Sequence, residues 1–270
     1  MNGRFAATLY LAACLALYAQ TPPLAKDPGP FLAPGQFGDI PAPRAVAGPA
    51  PHLPDGRPDF GGKGAWYPGF AGNIAEPQWK GVHSADKHVD VPFLPWSLRV
   101  FNERVENIAK DDPEAQCLPV GVPRYMFDPY PFQMIQLADR VIFLFEGDNY
   151  PWRIVRLEPA RHPKDPKPTW LGDAVGHYEG DTLVVDVVGF NDKAWLDQAG
   201  HPQTENLHIV ERYTRTDSLT LKYEVTIDDP GAYAKPWATS NTVKWRPGFE
   251  LMEYVCQENE KSSAHMRAVK

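Results

Sequence analysis

Short apolar runs separated by turn residues dominate the second half of the chain. From Phe132 onward the runs fall at 132–138, 140–146, 152–158, 174–179, 182–188, 207–215, 219–227, 240–246 and 249–256. Their length and their β-branched and aromatic content predict strands. The run 219–227 alternates cleanly. Leu221, Tyr223, Val225 and Ile227 share one face; Thr220, Lys222, Glu224 and Thr226 share the other, as in a half-buried antiparallel strand. The joints carry turn chemistry: Glu179-Gly180-Asp181, suited to a type II′ turn with glycine first, then Thr216-Asp217-Ser218 and Pro247-Gly248.

A helical period occurs at 96–110, where Leu98, Phe101, Val105 and Ile108 fall on one face. Ser97 is placed to cap its N-terminus, and Asp111-Asp112-Pro113 ends it. No helical pattern lies between the strands to supply parallel crossovers, so the sheet is expected to be antiparallel. Some nine sequential strands must hide their edges. The fold expected is therefore a mainly β, up-and-down antiparallel barrel with one helix on its N-terminal side; a two-sheet sandwich is the alternative.

The N-terminal region reads differently. Arg4 is followed by an apolar run from Phe5 to Tyr18 and then Ala19, the pattern of a signal peptide over residues 1–19 and too short to span a bilayer. Leu11-Ala12-Ala13-Cys14 is the competing lipoprotein pattern. Residues 20–58 hold 11 prolines and read as an extended arm or tether that cannot bury a core. Residues 59–270 are left as a single β-barrel domain. The product is expected to be periplasmic or secreted.

The net charge of −7 and the lack of a basic patch argue against nucleic acid or an anionic membrane as partner, and no other segment is long and apolar enough to span a membrane. Export leaves Cys117 and Cys256, which in an oxidising compartment predict one disulfide.

Candidate chemistry gathers between 174 and 212. The loop after strand 182–188 holds Asn191, Trp195, Asp197 and His201, and the next strand brings His208, Glu211 and Arg212. In a strand, Asn206, His208, Val210 and Arg212 share one face, so His208 and Arg212 are expected to point into a barrel cavity and Glu211 away from it. A helical turn over 204–212 would instead make His208 and Glu211 neighbours. Asp186 lies on the face of Thr182, Val184 and Val188, expected to be enclosed, with Arg212 or Arg153 as its partner. His208 is the expected acid or base, oriented by Asp186 or Asp197. Arg212, Asn191, Trp195, His201 and His177 are expected to bind the substrate. For each histidine the blander role is a carboxylate-bound structural one. No Cys or His pair has metal-ligand spacing, and neither a Gly-x-Ser-x-Gly elbow nor a phosphate loop is present, so no metal or other cofactor is expected. Eight tryptophans would suit a planar ligand at a barrel mouth, or simply a packed core.

Gly64-Ala65-Trp66 ahead of the strands resembles the opening of calycins and lipocalins. The combination Trp170-Leu-Gly-Asp-Ala-Val-Gly-His-Tyr-Glu-Gly-Asp-Thr-Leu-Val-Val-Asp186, Gly189-Phe-Asn191, Asp228-Asp-Pro230 and Glu253-Tyr-Val-Cys-Gln-Glu-Asn259 resembles a large family of secreted bacterial proteins. That resemblance implies export and a shared site region and names no reaction. The chain is thus expected to bind a small, partly apolar or cyclic molecule in a barrel cavity, with acid–base turnover of the isomerase, lyase or hydrolase type open to it. A carbohydrate-active enzyme with two facing carboxylates and a non-catalytic envelope protein with a filled barrel are the alternatives.

Overall fold

The computed structural model describes residues 46–259, apart from 70–71, 80–81, 108–109 and 148–150. The apolar run at 5–18, most of the proline-rich arm, and Ile108 therefore lie outside the described residues.

Nine strands close into a barrel. They are β1 (Gly64–Tyr67), β4 (Phe132–Gln136), β5 (Arg140–Phe145), β6 (Trp152–Leu157), β7 (Asp173–Glu179), β8 (Thr182–Val188), β9 (His208–Asp217), β10 (Thr220–Asp228) and β11 (Trp237–Pro247). A two-stranded ribbon, β2 (Gln78–Trp79) and β3 (Val82–His83), stands apart. One long helix, α1 (Pro95–Glu106), precedes the β4–β11 run, and a single-turn α2 (Cys256–Asn259) follows it.

The expected barrel is present, and four local expectations fail. Residues 249–256 form no strand. The ninth strand is β1, which pairs with β11 on one side and, through Trp66, with Phe132 of β4 on the other. Among the barrel strands described, pairing is antiparallel except between β6 and β7, which run parallel because the crossover 158–172 carries the chain back along the outside. That crossover needs no helix: fifteen residues in extended and turn conformations reach from one barrel end to the other. Ser97 does not cap α1. The cap position is Leu94, with Pro95 opening the first turn, and Ser97 Oγ donates to the carbonyls of Leu94 and Ala232 from inside the helix. The helix stops at Glu106, short of 110.

The Glu179-Gly180-Asp181 turn forms as expected. Gly180 takes φ +56° while Asp181 stays out of the left-handed region, the type II′ pattern.

The strand registers place three long connections at one end of the barrel, while the crossover 158–172 runs along the outside between the two ends. The hairpins 137–139, 180–181 and 218–219 turn at the other end. The long-loop end receives 68–131, 189–207 and 229–236. There the segment 120–128 is buried across the mouth; Asn241 donates to the carbonyls of Met126 and Pro68, and Phe127 packs against Tyr223. The opposite end is shut by Arg215, whose guanidinium lies over Trp66 and Trp245 and donates to the carbonyls of Asp59 and Ser218. The predicted disulfide joins Cys117 to Cys256, with Cα atoms 5.6 Å apart. It links the chain before β4 to the chain after β11.

The barrel interior is filled. Trp66, Phe132, Phe143, Phe145, Leu183, Val185, Ile209, Tyr213, Leu221, Tyr223 and Val243 form one continuous buried cluster. Within it lies one ion pair, Arg153 with Glu211, both almost wholly buried. Glu211 also accepts from the hydroxyls of Tyr213 (2.6 Å) and Tyr223 (2.9 Å). Burial, and then the neighbouring carboxylate, push both tyrosines well above the usual phenol range.

Removing one partner of such a pair strands the other without solvent. Glu211→Ala is therefore expected to lose about 3–5 kcal/mol, read from the denaturant midpoint. The double variant Glu211→Leu, Arg153→Met should recover most of it. A single variant as stable as the wild type would show that the pair contributes nothing to the barrel.

Candidate active site at the long-loop end

On β9 the buried residues are Ile209, Glu211, Tyr213 and Arg215, and on β8 they include Leu183, Val185 and Val187. This is the reverse of the expected orientation. Glu211 points inward, whereas His208, Arg212 and Asp186 stand on the outer surface. The physical reason is that the barrel buries its more apolar face and carries Glu211 with it, neutralised by Arg153.

His208 and Asp186 do meet, with Nε2 2.9 Å from the carboxylate, but their side chains are 39% and 44% exposed. The second oxygen of Asp186 holds Nε2 of His162, whose Nδ1 sits 2.7 Å from Asp173; Asp173 in turn accepts from Arg156. This chain of alternating carboxylates and imidazoles pins the crossover 158–172 to the outside of β7, β8 and β9. Neither expected partner of Asp186 is used there: Arg153 is inside, and Arg212 pairs with Glu179. His177 also pairs with Glu179, at 3.0 Å. These residues form a surface charge strip.

A different pair occupies the long-loop end. Asp197 and His201, four residues apart in loop 189–207, are 0% and 1% exposed, with His201 Nδ1 2.6 Å from Asp197 Oδ2. The loop folds around the aspartate. Asp197 Oδ1 accepts from the backbone N–H groups of Gly200 (2.9 Å) and His201 (3.0 Å), and Oδ2 also accepts from Ile74 N–H (2.9 Å). Gly200 is required here. It adopts φ +103°, and a Cβ would lie 2.7 Å from Arg104 Cβ.

Burial alone would raise the Asp197 pKa, but the facing His201 and the N–H donors outweigh it and hold the carboxyl below the ordinary aspartate value. A carboxylate only accepts, so Nδ1 of His201 must carry the proton. In the neutral ring the lone pair would then lie on Nε2, for which no hydrogen bond is seen among the described residues.

Three further segments build walls around this histidine. Phe93 stacks on its ring at 5.4 Å, Phe101 from α1 lies at 4.4 Å, and Trp237 at 5.8 Å. The start of α1 is fastened to 229–236 by Leu94 N–H to Ala232 O and Trp96 Nε1 to Gly231 O. Asp229 ties that connection to Thr204 through two bonds of 2.6 and 2.7 Å. His201 lines a cleft of about 360 Å³ with Asn73, Ala75, Val89, Val91, Phe93 and Phe101, and with Glu76, His88 and Asp90 nearer solvent. A larger cleft, about 410 Å³, lies at the β6–β7 seam between Trp152 and Trp170. Its only charged lining residue is Arg153, already paired with Glu211. A third cleft, about 380 Å³, is lined by Asp55, Arg57, Glu158 and His177; among the three, the His201 cleft is the one with a buried imidazole in its wall.

The other two loop residues singled out in the sequence have structural contacts. Asn191 is buried; its side chain accepts from Lys193 N–H and its carbonyl from Gln203. Trp195 is buried beneath the guanidinium of Arg104, 4.1 Å from its ring. Burial lowers the Arg104 pKa to about 10. Among the described residues no group of three or more His, Cys, Asp or Glu side chains has a metal-binding arrangement.

No protein-family model, no curated protein and no solved structure matches this chain. The chemistry therefore rests on the geometry.

Asp197 and His201 are each candidates from the sequence, but their pairing is a finding of the structure. One local signal was present: an aspartate three residues before a glycine and four before a histidine, a spacing that lets the carboxylate close its own turn. Phe93, Glu76 and His88 left no signal, because they lie more than 100 residues upstream.

A carboxyl held below its unfolded value stabilises the fold above that value, and the stabilisation disappears as pH falls through the folded one. The stability difference between wild type and Asp197→Asn should thus be widest near neutral pH and narrow once pH drops below about 4. A difference that stays constant into acid would show that Asp197 is not held as a carboxylate.

Proposed function

We propose that this chain is an exported acid–base protein. It binds a small, partly apolar or cyclic molecule in the cleft at the long-loop end, with His201 as the base and Asp197 as its orienting partner. The observation that carries this is a buried imidazole, held through Nδ1 by a carboxylate, in the wall of an aromatic cleft. The cleft, not the barrel interior, is the ligand site, since the interior is packed with side chains.

The base removes a proton from a carbon or oxygen acid lying against Phe93 and Phe101 and returns it to the same or a neighbouring atom. Asp197 stabilises the imidazolium formed in between. Return of the proton to the substrate is isomerisation. Its delivery to a group leaving the neighbouring carbon is lyase chemistry. With water as the acid, the hydroxide formed displaces a group that takes the proton, which is hydrolysis. His208 and Asp186, on the outer surface beside the crossover, serve to hold that crossover. The Cys117–Cys256 disulfide supports an oxidising compartment. No helix among the described residues is long and apolar enough to cross a membrane.

Proton abstraction can be measured without the natural substrate. The full chain, incubated in D₂O with 2-indanone, an apolar cyclic ketone with acidic C–H bonds, should speed deuterium uptake at the α-carbon. The gain over His201→Ala should be about 10²-fold or more, the range for a positioned base. Asp197→Asn should retain only a small part of the gain. Equal uptake by wild type and His201→Ala would overturn the proposal.

A further inference from the structure

The walls of the His201 cleft carry a charge pattern that selects among ligands. Its inner surface is apolar and aromatic: Val89, Val91, Phe93, Leu98 and Phe101. The ionisable groups lining it are two carboxylates, Glu76 and Asp90, and two imidazoles, His88 and His201; among the described residues no lysine or arginine lines it. The nearest arginine of α1 to the loop, Arg104, is committed to the far side, over Trp195 and on the carbonyl of Gly200.

His88 shows what the mouth recognises. Its Nδ1 lies 3.0 Å from Glu76 and its Nε2 3.1 Å from Asp90. Both nitrogens face acceptors, so the ring satisfies the pair only as a doubly protonated cation. The two carboxylates thus already hold a cationic N–H donor supplied by the chain itself. Glu76 is 35% and His88 56% exposed, so this donor is open to exchange with solvent and with ligands. In the same cleft His201 is 1% exposed, and its Nε2 has no hydrogen bond among the described residues. An acidic rim alone would mean little; the buried, unbonded imidazole in the same cleft is what marks the position of a ligand.

We propose that the cleft takes primary amines carrying a flat apolar ring. The ring lies against Phe93 and Phe101 beside His201, and the ammonium replaces His88 on Glu76, with Asp90 as a second acceptor. This rests on the cleft being the ligand site described above. An ammonium offers three donors to the carboxylates that His88 serves with two, and the neighbouring aromatic faces attract cations. A carboxylate ligand would meet two like charges at the mouth, with His88 as the counter-ion among the described lining residues.

The test follows the His201 ring protons by NMR in the full chain at neutral pH, titrated with 2-phenylethylamine, 2-phenylethanol and phenylacetate. The amine should bind about tenfold more tightly than the alcohol, the weight of one charge-assisted hydrogen bond in an open site, and phenylacetate most weakly. In the Glu76→Gln, Asp90→Asn double variant the amine should fall to the affinity of the alcohol. In His88→Gln, where the carboxylates are freed, amine binding should tighten. The inference is overturned if the alcohol or the acid binds as tightly as the amine, if the preference survives in the double variant, or if His88→Gln weakens the amine. Should the alcohol still move the His201 resonances in those cases, the cleft stands as a ligand site and only the amine preference falls. Should none of the three probes move them, the ligand site itself is refuted.

Discussion

A sheet of this size is stable in water only if its two edges disappear, and here that depends on a four-residue strand. Gly64–Tyr67 pairs with β11 over its whole length, and Trp66 alone reaches across to Phe132 of β4. Without it, β4 and β11 would each present unpaired backbone groups. The indole is well suited to the position. Its Nε1–H donates to Phe60 O, its ring meets Trp245 edge-on at 5.0 Å, and Arg215 lies over its face. Closure also dictates the interior. Once the strands form a tube, every inward side chain is sealed from water, so Arg153 and Glu211 must find each other and Glu211 must recruit two tyrosines.

Closure leaves the functional surface to the ends, and the ends are unequal. One is turned by short hairpins. The other receives 68–131, 189–207 and 229–236, so α1, the segment before it, loop 189–207 and the β10–β11 connection have to pack on one another. The cleft is the space left where they meet. Its histidine is rigid because three kinds of restraint converge on one loop: the Asp197 turn, the aromatic stack of Phe93 and Phe101, and the Asp229–Thr204 tie.

Much of the fold was legible from local pattern. Eight of the nine expected strands are present with small shifts at their ends, because an alternation such as that of 219–227 survives in any sheet. The run 249–256 misled because it is apolar yet has no neighbour to pair with; the last sheet position is taken by Gly64–Tyr67. The parallel β6–β7 pair was hidden for a related reason. Parallel pairing was sought through a helical crossover, and the crossover 158–172 is irregular chain held down by His162 on Asp173 and Asp186.

Alternation alone established that His208 and Arg212 share a face, that Glu211 lies on the other, and that Asp197 and His201 sit together in a loop after a strand. Those are statements of period and distance along the chain, and local geometry decides them. Which face turned inward was a choice between burying Ile209 and Tyr213 and burying His208 and Arg212, and the barrel buried the apolar set together with one compensated carboxylate. The partners came from far away: Arg153 for Glu211, His162 for Asp186, Phe93 and Phe101 for His201. Contacts across such separations are set by how the barrel closes and which end its long loops share, so only the tertiary structure could bring a buried imidazole, its carboxylate and an acidic mouth into one cleft.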